Sequence, residues 1–194
     1  MDRDSELRLV ARLRAGDSAA FDAVYAAFNA RVFGFLARLS RRRDVAEDLL
    51  EETWLRLVAR AHRLQPDTEL GPWLFTVARN LYFSYCRSRL LADSRVADLM
   101  GLWPAGTPRP SPFEETAASE LERRLERALA SLPAASREVL LLVAVEGLTS
   151  SEAAAVCGVT PEALRQRLSR ARALLAKRLD EGRVSAHVLS EEMS

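Results

Sequence analysis

The stretch LTSSEAAAVCGVTPEALRQRLSRARALLAKRL, from Leu148 to Leu179, carries in order the signals for a helix start, a chain reversal and a second helix start. Thr149 and Glu152 have the T-x-x-E spacing of a capping box, which predicts a helix beginning at that point. The helix is short and apolar through Ala153, Ala154, Ala155 and Val156. Gly158 ends it, because glycine tolerates the left-handed backbone that a reversal needs. Thr160 then caps a second helix, and Pro161 suits its first position, where no amide donor is required. Two helices joined in this way form a helix-turn-helix.

On the second helix Leu164, Leu168, Ala171 and Leu175 recur at intervals of four, three and four, a single apolar stripe that packs on the first helix. Glu162, Gln166, Ser169 and Arg170 point the other way, while Arg165, Arg167 and Arg172 flank the stripe. Guanidiniums are suited to phosphates and to guanine edges, so this helix has the make-up of a major-groove reader. Many Arg-rich surface helices are only solvated. Here the capping box, glycine turn, second cap and basic helix agree with one another, which favours the nucleic-acid reading.

The formal net charge is only +1, which argues against bulk coating of nucleic acid, yet the charges are segregated. From Pro161 to Arg178 six cations (Arg165, Arg167, Arg170, Arg172, Lys177, Arg178) face one anion, Glu162. From Asp44 to Glu52 five acids (Asp44, Glu47, Asp48, Glu51, Glu52) face no cation. Two partners of opposite sign are implied. With 48% hydrophobic residues in 194, the chain can bury a real core in one or two domains. No apolar run is long enough to span a bilayer, and the N-terminus MDRDSELR has no apolar segment of signal-peptide type. A cytoplasmic protein without membrane insertion is expected. Cys86, Cys157, His62 and His187 show no metal-ligand spacing, so no metal and no cofactor are expected; Cys157 is read as a packing residue.

In chain order, residues 5–14 predict a short helix with Leu9, Val10 and Leu13 on one side, broken at Gly16, with Asp17 able to cap the next. Phe21, Val24, Tyr25, Phe28, Val32, Phe35, Leu36 and Leu39 predict a long helix with an aromatic core face. Asp44 opens a further helix to about Leu64, its apolar side formed by Leu49, Leu50, Thr53, Leu57, Ala61 and Leu64. A helix dipole is served by one or two carboxylates at the start. Five make a self-repelling patch, which points to docking of a basic partner.

After a loop over 62–72 comes WLFTVARNLYFSYCRSR, from Trp73 to Arg89. Trp73, Leu74, Val77, Leu81 and Tyr85 are read as its buried stripe, with Phe75, Thr76, Arg79, Asn80, Phe83 and Arg87 exposed. Aromatics interleaved with Arg suit a single strand, whose bases stack on rings while guanidiniums hold its backbone. From about Arg95 to Thr116 regular structure is expected to fade, because Pro104, Pro108, Pro110 and Pro112 favour an extended spacer. Helices resume at Ser119–Leu129 (Leu121, Leu125, Leu129 apolar) and after Pro133, through Val139, Leu140, Leu142 and Val143 to Gly147. The final RVSAHVLSEEMS has no interpretable pattern.

Five motifs now stand in order: Ala46-Glu47-Asp48-Leu49 with Glu51-Glu52; Trp73-Leu74-Phe75-Thr76-Val77-Ala78-Arg79-Asn80; Leu132-Pro133 with Arg137-Glu138-Val139-Leu140; Glu146-Gly147-Leu148; and Arg167-Leu168 with Arg170-Ala171-Arg172. In these the chain resembles bacterial extracytoplasmic-function (ECF) RNA polymerase sigma factors over nearly its whole length. The resemblance implies an all-α protein of two helical domains joined by a Pro-rich linker: a region 2 domain at 1–94, a linker at 95–118, a region 4 helix-turn-helix domain at 119–182 and a tail at 183–194. It implies core RNA polymerase, promoter DNA and an anti-sigma factor as partners. Glu47, Asp48, Glu51 and Glu52 would meet the clamp coiled coil. Arg79 and Asn80, with Trp73, Thr76, Phe83 and Arg87 on the same helix, would melt and hold the nontemplate strand of the minus-ten element. Arg165, Gln166, Ser169 and Arg170, flanked by Arg167 and Arg172, would read the minus-thirty-five duplex. The chain departs from the family pattern at Glu51 (usually Gln), Ser84 (commonly Asp) and Glu162-Ala163 (commonly Gly-Thr).

No paired carboxylates, catalytic triad or phosphate loop is present, and the acids at 44–52 lack a basic or metal-binding partner in sequence, so an enzyme is not expected. A different reading of the same residues is a regulator that binds duplex operators through the helix-turn-helix alone, with the N-terminal half sensing an effector.

Overall fold

The computed structural model of the chain describes residues 3–100, 113 and 119–192, of which 90–100 and 182–192 by their backbone only. Among the described residues every regular element is helical: α1 (Arg3–Arg14), α2 (Ser18–Ser40), α3 (Arg43–Arg60) continued by a 3-10 turn (Ala61–Arg63), α4 (Leu70–Met100), α5 (Glu120–Ser131), α6 (Ala134–Leu140) continued by a π turn (Leu141–Val145), α7 (Ser150–Cys157) and α8 (Pro161–Glu192). The chain divides into two compact units, one of residues 1–36 and 44–109 and the other of residues 37–43 and 110–194. The Pro-rich stretch expected as a linker falls mostly outside the described residues. Its expected start at Arg95 is corrected, since α4 continues to Met100. At the other end, α8 runs past Gly182 to Glu192.

The first unit is built on α1 to α4. Gly16 takes φ of 80°, and the Asp17 carboxylate accepts from the amides of Ala19 and Ala20 to start α2. The Arg12 guanidinium, 2.7 Å from Asp17, holds that carboxyl below the usual carboxylate range, helped by the two amides. Val10 and Leu13, Val24, Phe28, Val32 and Phe35, then Ala46, Leu49 and Leu57, then Leu70, Leu74, Phe75 and Ala78 form the core. Phe35 meets Phe75 edge to face at 5.4 Å, and Gly71 lets Phe28 approach so closely that a Cβ there would lie 3.4 Å from the ring.

Several sequence expectations are corrected here. Tyr25 is not core but 43% exposed, and Phe75, expected outside, is fully buried. The buried stripe of α4 is Leu70, Leu74, Phe75, Ala78 and Tyr82, whereas Trp73, Val77, Leu81 and Tyr85 are half-buried. On α4 the difference is a rotation of the helical wheel by less than one residue; on α2 Tyr25 is an exception on a face whose Val24, Phe28, Val32, Phe35, Leu36 and Leu39 are buried as expected. The helix also begins earlier than Trp73, at Leu70, because Pro72 fits a first turn that lacks amide acceptors anyway. Likewise α3 closes at Arg60 rather than Leu64.

In the second unit α8 packs against α5, α6 and α7. Capping boxes at Ser119/Glu122 and Thr149/Glu152 start α5 and α7, each with both reciprocal hydrogen bonds. Leu121 and Leu125 of α5, expected as core, are 72% and 40% exposed. The face that α5 buries carries Glu126, Ala128, Leu129 and Ala130 instead. Arg137 explains that face. Its buried guanidinium donates to the carbonyls of Leu129, Ala130 and Leu132 at the end of α5 and to those of Arg38 and Leu39 in the same unit, all at 2.8–3.1 Å. Five acceptors satisfy the planar fork of one arginine, at the helix end where carbonyls lack intrahelical partners.

Candidate nucleic-acid and polymerase interfaces

The helix-turn-helix follows its local signals closely. Gly158 takes φ of 65°, the amide of Val159 bonds Ala154 O and that of Gly158 bonds Ala155 O, which closes α7 in a Schellman turn. Thr160 Oγ1 accepts from Ala163 N at 3.2 Å and so caps α8. Leu164, Leu168 and Ala171 are buried, and this fixes which way the rest of the helix faces. Arg165, Gln166, Arg167, Ser169, Arg170 and Arg172 are all exposed. Gln166, Ser169 and Arg170 stand opposite the stripe, with Arg167 and Arg172 at its two edges. Arg165 has a loose ion pair with Glu162 at 3.8 Å; among the described residues Arg167, Arg170 and Arg172 make none. An exposed cationic face of this kind, on a helix whose N-terminus is itself positive, favours an anionic partner.

On α4, Trp73, Thr76, Arg79, Asn80, Phe83 and Arg87 lie within one third of the helical wheel, centred opposite Leu74 and Ala78. The structure therefore brings all six together, although the buried stripe of α4 lies elsewhere on the wheel than the sequence predicts. Thr76 Oγ1 donates to Pro72 O at 2.7 Å, so its proton is committed to the helix. Arg79 lies over the Phe83 ring, 4.7 Å from its centroid, and Arg87 bonds Ser84 Oγ at 2.9 Å. At the start of the same face Trp73 joins Arg60, Arg63, Leu64, Gln65 and Thr68 around a polar pocket of about 390 Å³. Sequence reasoning missed this pocket, because a turn in which Thr68 N bonds Gln65 O brings Gln65 and Thr68 round to the tryptophan.

The acids of α3 separate into two groups. Glu47 and Glu51 border an apolar slot of about 340 Å³ floored by Phe21, Tyr25 and Trp54 and edged by Leu55 and Val58. Tyr25, Leu55 and Val58 are each 43–59% exposed, an uncommon concentration of apolar surface beside two carboxylates. Trp54 is held by its Nε1–H donating to Asn29 Oδ1 at 3.0 Å, and Tyr25 packs on it at 4.9 Å. Asp48 and Glu52 lie on the adjoining side of the helix, where Glu52 is paired with Arg56 at 2.9 Å. The slot residues were legible only as charges; Leu55 and Val58 interrupt the expected polar face, and that interruption was the available signal.

The sequence pattern of Sigma-70 region 2 matches residues 24–90, which hold the α4 face and all the slot residues except Phe21. That of Sigma-70 region 4 matches residues 122–175, which hold the helix-turn-helix. The chain is 39% identical over 142 residues to the ECF RNA polymerase sigma factor EcfG of Rhodopseudomonas palustris, covering 73% of this chain and 75% of that one. It is 35% identical to the RNA polymerase sigma factor CarQ of Myxococcus xanthus, covering 88% and 95%. Among solved structures it is similar to the sigma factor RpoE of Bartonella quintana, crystallised with the anti-sigma factor NepR, with a TM-score of 0.68, 28% identity and coverage of 82% and 96%. Among the described residues no helix is long and apolar enough to cross a membrane. Two helical units, a basic helix-turn-helix and these relatives converge on one assignment: the chain belongs to the ECF RNA polymerase sigma factors, initiation factors that direct core RNA polymerase to promoters.

Proposed function

We propose that this sigma factor divides promoter recognition between α8, which reads the minus-thirty-five element as duplex, and α4, which melts the minus-ten element and holds its nontemplate strand. The observation that carries the division is a difference in chemistry between the two faces. The α8 face is arginine, glutamine and serine without an aromatic ring, and such side chains reach base edges in a groove. The α4 face combines Trp73 and Phe83 with Arg79 and Asn80, and rings are useful only where base faces are uncovered. The pocket of Arg60, Gln65, Thr68 and Trp73 suits one unstacked base, with an aromatic wall and polar groups for its edge.

Polymerase docking falls to α3. Glu51, Glu47 and Asp48 give the anionic field for a basic coiled coil, and the slot edged by Leu55 and Val58 gives its apolar centre. Glu52 contributes at the margin. An anti-sigma factor would compete for this sigma factor, as the Bartonella relative crystallised with NepR suggests. The domain roles follow: the helices up to Met100 for docking and melting, and those from Glu120 on for the minus-thirty-five element.

The division is tested with the full chain and core polymerase on matched duplex and forked promoters. Substitutions in α8 should lower affinity for both templates by a similar factor. Substitutions on α4 should lower the preference for the fork and spare duplex affinity. Equal effects of both sets on both templates would overturn the division.

A further inference from the structure

We infer that α1, through Arg3 and Glu6, positions the base-receiving pocket, so that Glu6 governs minus-ten opening without touching DNA. The inference rests on the minus-ten reading of α4 and its pocket given above. Three bonds make the clasp. Glu6 Oε1 accepts from the amide of Leu70 at 2.8 Å, Glu6 Oε2 accepts from Arg3 Nη1 at 3.0 Å, and Arg3 Nη2 donates to Asp67 O at 2.7 Å. The anchor points lie 64 residues away in sequence, on either side of the last loop residues before α4.

The placement matters because α4 begins without a Ser, Thr, Asp or Asn before it; Glu69 occupies that position and its carbonyl takes the amide of Trp73. The amides of the first turn need an acceptor, and Pro72 removes one of them. Glu6 supplies the acceptor from another helix and adds a negative charge at the positive helix end, with its side chain only 16% exposed. Between Asp67 and Leu70 the chain has little freedom once both bonds are made. Thr68 lies within that span, Trp73 is joined to it by its amide bond to Glu69 O, and Gln65 is tied to Thr68 by the turn. Three of the six pocket residues therefore take their positions from α1, which also packs on the 3-10 turn at 61–63. Nothing in α1 faces the pocket as a lining residue.

The test uses the full chain with core polymerase, a forked promoter and a fluorescent base analogue in the exposed minus-ten strand. Glu6→Ala is expected to lower the fork-over-duplex preference about five- to tenfold, the factor that one lost cap interaction represents, while core binding and duplex affinity stay unchanged. Glu6→Gln keeps an acceptor for Leu70 and should recover most of the preference; Arg3→Ala, which frees Asp67 and removes the ion pair with Glu6 but leaves Glu6 to accept from Leu70, should lose an intermediate amount. Val10→Ala, a core substitution in the same helix, controls for lost stability. A parental preference in Glu6→Ala, or an equal loss in Val10→Ala at matched stability, would overturn the clasp. Asn80→Ala separates the two claims. If it lowers the preference and Glu6→Ala does not, only the clasp fails; if neither does, the minus-ten reading fails and the clasp with it.

Discussion

The guanidinium of Arg79 covers the ring of Phe83, 4.7 Å from its centroid, one turn away on the same face of α4. Tyr82 meets that ring edge-on at 5.2 Å, which fixes its orientation. On the proposed minus-ten role, a base stacking on Phe83 would take the place of the guanidinium and release Arg79 to a phosphate of the same strand. Phe83→Ala or Asn80→Ala should therefore cost about 1–3 kcal/mol of fork binding. Arg79→Ala should leave the stack in place but lower the salt slope of fork binding by about one. Titrations of polymerase complexes at several salt concentrations check both; a salt slope unchanged in Arg79→Ala would refute the exchange.

On α8, Arg165→Ala and Arg170→Ala should each cost about 1–3 kcal/mol if the side chains hold base edges, and discrimination among minus-thirty-five variants should fall. Arg167→Ala and Arg172→Ala, at the edges of the buried stripe, should weaken all sequences alike, as phosphate contacts do. Competition binding against a set of single-base variants distinguishes the two patterns.

For α3, charge and apolar surface act together. Glu51→Arg and Leu55→Asp should each weaken core polymerase binding by about 2 kcal/mol or more, since one reverses the field and the other wets the slot. Glu52→Arg should do less, because Glu52 is already paired with Arg56 away from the slot. Helix content by circular dichroism should be unchanged in all three. Parental affinity in Leu55→Asp would remove the slot from the docking surface.

Arg137 is a prediction about stability rather than recognition. Arg137→Ala strands the carbonyls of Ala130 and Leu132 in a buried setting, leaves that of Leu129 with the Leu132 amide alone, and should cost about 3 kcal/mol or more. Arg137→Lys keeps the charge but not the planar fork and should recover less than half of that. Denaturant unfolding gives both values.

What the sequence made legible was whatever its signals encode locally. The capping box at Thr149, the reversal at Gly158 and the Leu164–Leu168–Ala171 stripe depend on neighbours within one or two turns, and the structure reproduces them. Features set by distant partners were not legible. Phe75 turns inward because Phe35 meets it there, and Tyr25 turns outward because Trp54, fixed by Asn29, offers it a surface. Leu125 yields the core face of α5 to Glu126, whose Oε1 lies 2.8 Å from the Arg38 guanidinium. At the start of α4 the Leu70 amide donates to Glu6, 64 residues upstream. Periodicity identifies a helix and its amphipathic character, but the rotation of an evenly mixed wheel such as α4 is decided by the helices packed against it.

The division of labour between the two faces is tested most directly by promoter opening. Core polymerase and the full chain are mixed with a duplex promoter carrying a fluorescent base analogue in the nontemplate minus-ten strand. Fluorescence should rise only when both proteins are present. It should rise far less with Asn80→Ala or Phe83→Ala, and those variants should bind the duplex with parental affinity. Unchanged opening in both variants, or tight duplex binding by the free chain with no effect of polymerase, would contradict the account.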